Sequence, residues 1–220
     1  MRVTIISDAS FCPNTKAAGY GGWVVCNRGN NANGGPLRGA PDNNAAETMA
    51  ICNVIWEGLK ANLIQSGDHL IVQTDCSTAI KVYKEASWKS EQEGTAFKWL
   101  NDQLRKYNLT IEFRHVKGHT SNQDQRSKAQ RFCDERARSA MRLERSKIRL
   151  QECKELISEA KKKENRPKKG SGHLRRNIRM KEKVCSAARS EDDKAVAERD
   201  ERIRKLKFVH SFMNRGANGI

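Results

Sequence analysis

Four carboxylates stand where a single site could be assembled from separate parts of the chain: Asp8, Glu47, Asp75 and Asp134. Asp8 lies near the far end of a β-branched stretch, Arg2 to Ser10, and Asp75 closes a second apolar run that begins at His69. Glu47 and Asp134 fall in the early turns of two candidate helices. Aspartate is disfavoured in a strand and a lone buried charge is costly, so Asp8 is either a solvated end-of-strand carboxylate or the partner of something cationic. Four carboxylates within a few ångströms repel one another by several kcal/mol at intermediate dielectric. They bind cations, or they are not clustered at all. Ligation by oxygen alone suits Mg²⁺ or Mn²⁺ and argues against zinc.

The elements that must carry these groups follow from periodicity. Alternation in the first stretch puts Thr4, Ile6, Asp8 and Ser10 on one face, and Val3, Ile5, Ser7 and Ala9 on the other. Phe11 to Lys16 reads as a turn and Gly21 to Cys26 as a second strand. Asn30 to Gly35 reads as a Gly/Asn turn before a short third strand near Pro36–Gly39. Asp42, Asn43 and Asn44 offer N-cap chemistry for a helix over Ala45–Asn62, whose Met49, Cys52, Ile55 and Leu59 form one apolar face. Glu47 would sit in its first turn, where its alternative role is to suit the helix dipole. The run His69–Asp75 predicts a strand buried on both faces. Helices are expected over Ser77–Glu85 and Thr95–Tyr107, then an alternating strand over Leu109–Val116. A polar loop, Lys117–Lys128, leads to a helix beginning near Gln130. This order predicts an α/β domain of three layers around a mixed sheet. Ligands in such sheets collect beyond the carboxyl ends of the strands, where Asp8 and Asp75 fall.

Five short motifs carry a resemblance. They are Ser7-Asp8-Ala9-Ser10, Asn43-Asn44-Ala45-Ala46-Glu47, Thr74-Asp75-Cys76-Ser77, Val116-Lys117-Gly118-His119-Thr120 and Cys133-Asp134-Glu135-Arg136-Ala137. In this order and at these spacings, residues 1–140 resemble the type 1 ribonuclease H family. The resemblance implies a five-stranded mixed sheet with the first strand central, and cleavage of the RNA strand of RNA–DNA hybrids to leave 5′-phosphate and 3′-hydroxyl ends. It implies two Mg²⁺ ions, with Mn²⁺ as a substitute, held by Asp8, Glu47, Asp75 and Asp134. It maps the family's loop histidine, tied to proton transfer or product release, onto His119; taken alone, His119 reads better as an ordinary loop histidine. Asn43 and Asn44 map onto the family's asparagine pair near the cleavage site. Ser10 and Lys117 join them as candidate substrate contacts, because telling RNA from DNA requires polar groups at the 2′-hydroxyl.

The chain departs from the family pattern in two places. Fifteen positions separate His119 from Asp134, a longer interval than is usual there. Between the helix after Asp75 and the one at Thr95 there is only Ala86 to Gly94, so the extra basic helix that grips the hybrid in many members is missing. Residues 141–220 are the obvious substitute. They carry 24 Lys and Arg against 12 Asp and Glu, whereas residues 1–140 carry 18 against 14. So uneven a charge, in a chain of net +16, points to a polyanionic partner such as nucleic acid. Leu143, Leu150 and Ile157 recur every seven residues with Ser146, Cys153 and Ala160 between them, too short a run to establish a coiled coil. A flexible basic linker is expected around 161–173, with Pro167 and Gly170-Ser171-Gly172, and a second helix over about 191–212.

The expected organisation is thus a catalytic domain over 1–140 and a mainly helical basic extension over 141–220. No apolar run approaches a membrane span and no signal peptide is evident, so no membrane partner is expected. Seven scattered cysteines without a C-x-x-C pair fit a reducing, cytoplasmic setting. Oligomeric state is not legible. Two other readings share the carboxylates: a DNA-directed nuclease of the resolvase or transposase kind, and a non-catalytic nucleic-acid-binding protein.

Overall fold

The computed structural model describes residues 1–117 and 125–164, together with Arg179, Met180, Lys183 and Ser186. The chain divides into two compact units, Met1–Glu144 and Arg145–Ile220. In the first, β1 (Arg2–Cys12), β2 (Ala17–Cys26) and β3 (Gly29–Leu37) form an antiparallel meander. Helix α1 (Asn43–Lys60) crosses to β4 (His69–Thr74), helices α2 (Ser77–Glu85) and α3 (Glu91–Lys106) follow, and β5 (Thr110–His115) leads to α4 (Gln125–Glu164). The sheet order is β3-β2-β1-β4-β5, with β4 and β5 parallel to the central β1. This is the expected five-stranded mixed sheet of a ribonuclease H-like fold.

Alternation along β1 and β2 sorts the helices onto two faces. Val3, Ile5 and Val24 are fully buried against Ile51, Val54 and Ile55 of α1, which packs with α2 and α3 on one side. Each such side chain contributes roughly 1.5–3 kcal/mol on removal from water. On the other face, Trp23 packs on Phe132 of α4 with ring centroids 5.0 Å apart. There β2 is nearly bare: a Cβ on Gly19 would meet the backbone at Met141, and one on Gly21 would meet the Cys133 carbonyl. Only glycine lets a helix backbone come this close to a strand.

Several elements differ from the sequence expectation, among them β2, which starts at Ala17 and not Gly21, and α4, which starts at Gln125 and not near Gln130. Residues Asn30 to Gly35 are strand, not turn: β3 pairs in register with β2 from Cys26↔Gly29 to Ala18↔Leu37. Ladder hydrogen bonding at the sheet edge overrides the low strand propensity of its Gly and Asn. Helix α1 starts two residues earlier than predicted, capped by Asp42, whose Oδ1 accepts from Ala45 N at 2.9 Å. Glu47 therefore stands in the second turn, beyond the range of a first-turn dipole role. Helix α3 begins at Glu91 because Ser90 and Glu93 form a reciprocal capping box.

In the second unit the described part of α4 runs to Glu164, and Leu150, Cys153, Ile157 and Ala160 are half-buried among exposed neighbours. Most of the expected linker around 161–173, and the second helix over 191–212, lie outside the described residues. Among the described residues no helix is long and apolar enough to cross a membrane.

Candidate active site

Asp8 stands on the central strand β1 opposite Gly21 of β2, two residues beyond Ile6, the last β1 residue paired with β4, and its alternation phase turns it to the α4 face. It is 7% exposed, and its Oδ1 accepts from Ala9 N at 3.0 Å. Glu47 enters from the second turn of α1 and is 5% exposed. Asp75 is the first residue past β4. His115 Nε2 lies 3.0 Å from its carbonyl oxygen, and Val116 N donates to Thr74 O at 3.0 Å, so β5 holds the turn that presents it. Ligand oxygens of Asp8, Glu47 and Asp75 all lie within 4.8 Å of one another.

This proximity, together with burial, shifts the titration of Asp8 and Glu47. Burial, then the charges of Asp75 and Asp134, push the Asp8 carboxyl up to about 7. Burial, followed by Asp8 and Asp75, raises Glu47 well above the ordinary carboxylate range. Glu47 Oε2 is buried and meets no hydrogen-bond partner among the described residues. A buried oxygen without a donor, beside two more carboxylates, is what a hard divalent cation satisfies. The donor set therefore fits Mg²⁺ or Mn²⁺.

Asp134 reaches the same cleft from α4 but stands outside the 4.8 Å group; its Oδ1 accepts from Arg138 Nε at 2.7 Å. Cys133 beside it is fully buried and donates from Sγ to Ile6 O at 3.8 Å, which ties α4 to β1. Ser10 and Asn43 line this cleft, which has a volume of about 500 Å³. Asn44 is not among its lining residues; its carbonyl accepts from Thr48 Oγ1 at 2.9 Å inside α1. Lys117 lines a smaller adjoining pocket with Asp8, Asp75 and Gln130. His119 lies outside the described residues. Sequence reasoning passed over Arg138, although the Asp134–Arg138 spacing of one helical turn was visible. No sequence signal marks the contact of His115 with the Asp75 carbonyl.

Residues 1–142 match the family model for RNase H. The chain belongs to the RNase H family. RNase H enzymes are divalent-metal-dependent nucleases, and the acidic group just described is of the kind that such chemistry uses. Among solved structures, the chain is similar to the N-terminal RNase H domain of a Mycobacterium tuberculosis protein solved as a maltose-binding-protein fusion. The identity is 18% and the TM-score 0.49, covering 64% of this chain and 99% of that one. It is also similar to RNase H1 of the archaeon Halobacterium salinarum, at 17% identity and TM-score 0.47, covering 64% of this chain and 97% of that one. A third similar structure is LC11-RNase H1, isolated from compost by a metagenomic approach and solved in complex with an RNA/DNA hybrid. There the identity is 17% and the TM-score 0.47, over 63% of this chain and 96% of that one. No curated protein matches the sequence.

Proposed function

We propose that this RNase H family member is an endoribonuclease that hydrolyses the RNA strand of RNA–DNA hybrids, using two divalent ions and leaving 5′-phosphate and 3′-hydroxyl ends. The observation that carries this reading is the Asp8–Glu47–Asp75 group, with Asp8 and Glu47 buried and one Glu47 oxygen unpaired, in a chain of this family. Asp8, Glu47, Asp75 and Asp134 are the residues that would hold them. Bound there, Mg²⁺ or Mn²⁺ would supply the Lewis acidity that activates a water and stabilises the leaving 3′ oxygen in an in-line displacement.

The chain's other groups have distinct parts. Ser10 and Asn43, which line the cleft, offer a hydroxyl and an amide to 2′-hydroxyl groups of the RNA strand. Asn44 supports the same contact from the start of α1. Lys117 neutralises a backbone phosphate beside the acidic group. His119 is assigned to proton transfer or product release. The catalytic domain is residues 1–140, and the basic extension over 141–220 binds nucleic acid without reading sequence, in place of the missing basic helix. The proposed setting, read from the scattered cysteines, is the cytoplasm.

A panel of matched RNA–DNA hybrid, double-stranded DNA, double-stranded RNA and branched DNA, each with Mg²⁺, tests the reading. The expected result is cleavage of the hybrid, lost in Asp8→Asn while hybrid binding persists. Cutting mainly in a DNA-only substrate, or equal inactivity of wild type and Asp8→Asn in Mg²⁺ and Mn²⁺, overturns it.

A further inference from the structure

Among the described residues, Asp134 is the one carboxylate of the four that is engaged in an ion pair. Its partner Arg138 stands one helical turn further along α4, an i,i+4 arrangement that suits a carboxylate and a guanidinium. Arg138 lines the same cleft as Asp8, Glu47 and Asp75, and its charge acts on Asp8 against the effect of burial. The cluster thus already contains a cation that belongs to the chain. Its side chain is 47% exposed, so the guanidinium has room to leave the cleft without breaking the core.

We infer that Arg138 is a positioning residue that holds Asp134 as a resident counter-cation and competes with a divalent ion for that carboxylate. The inference rests on the metal-dependent reading above. A divalent ion that binds Asp134 through Oδ1 must displace a charge-assisted hydrogen bond of 2.7 Å, and through either oxygen it approaches a guanidinium of like charge. The site consequently takes up its full metal complement more weakly than four carboxylates alone would. A substrate phosphate offers the guanidinium an alternative bidentate partner, so arrival of nucleic acid frees Asp134 and favours loading of the ion.

The test is calorimetric titration of Mn²⁺ into the full-length protein without nucleic acid, comparing wild type with Arg138→Gln, Arg138→Lys, Asp134→Asn, the Arg138→Gln/Asp134→Asn pair and Asp8→Asn. Arg138→Gln is expected to tighten Mn²⁺ binding about tenfold, within the usual range for coupling between charged sites. Arg138→Lys, which keeps the charge, should stay near wild type. In the Asp134→Asn background the Arg138→Gln effect should shrink to less than about twofold, because the two residues act as one unit. Unchanged or weaker binding in Arg138→Gln overturns the inference, and so does the same tightening in the Asp134→Asn background. The Asp8→Asn arm separates the two levels. If it binds Mn²⁺ as wild type does, the functional reading falls; if it loses Mn²⁺ while Arg138→Gln changes nothing, only the role of Arg138 falls.

Discussion

Gly21 is the cross-strand partner of Asp8, and the Cys133 carbonyl of α4 lies where a Gly21 side chain would be. Gly19, two residues earlier on the same face, meets α4 at Ala137, Ala140 and Met141 in the same way. The bare stretch of β2 is thus the seat of α4. By seating α4 there, it brings Asp134 to the cleft that Asp8 lines.

Gly21→Ala should push α4 off the sheet. Overpacking of this kind costs about 1–3 kcal/mol, to be read as a lower urea midpoint. Mn²⁺ affinity should fall with it, because Asp134 moves with the helix. A midpoint equal to that of wild type would show that α4 does not depend on this contact.

The metal-free protein should lose stability as pH rises, and Asp8 should be a main cause. Its folded-state carboxyl is raised to about 7, from an ordinary 3.8, chiefly by burial and then by Asp75 and Asp134. The folded chain therefore binds this proton more tightly than the unfolded chain. The corresponding stability is fully present below about pH 4 and is lost as pH rises through about 7. With EDTA present, wild type should weaken relative to Asp8→Asn by on the order of 4 kcal/mol between pH 4 and pH 8. Adding Mg²⁺ at pH 8 should narrow that gap, since a bound cation replaces the missing proton. Urea unfolding at the two pH values measures both effects, and a gap independent of pH would refute the assignment.

Truncation after Glu144, at the boundary of the first compact unit, isolates the role of the basic extension. If the extension makes six phosphate contacts, the slope of log affinity for a hybrid against log salt should flatten by roughly five. Cleavage at low salt should survive, because the acidic group lies wholly within the first unit. An unchanged slope would remove the extension from nucleic-acid binding.

Much of the fold was legible because apolar periodicity is a local property. The order of strands and helices follows from the alternation in β1, the continuous apolar run of β4 and the helical spacing of Met49, Cys52 and Ile55. The elements that differ are those whose state is set by hydrogen-bond partners and not by apolar spacing. The Asn30–Gly35 segment has turn composition, yet becomes strand because β2 offers it a ladder. The capping box at Ser90 was present in the sequence and was overlooked, which placed the start of α3 four residues late.

The sequence by itself determined which groups are candidates for the chemistry: acidic oxygens at Asp8, Glu47, Asp75 and Asp134, and a strongly basic stretch over 141–220. Residue type and local periodicity suffice for that much. Only the tertiary structure decided how those groups stand to one another. Three carboxylates gather within 4.8 Å, and Glu47 is buried with an oxygen unpaired. Asp134 arrives already bound to Arg138. The placement of these groups depends on the register that sets Asp8 opposite Gly21, and on the missing side chain of Gly21, which lets α4 pack on β2 at Cys133, more than a hundred positions away. Local propensity carries no information about such distances; close packing of the two layers does.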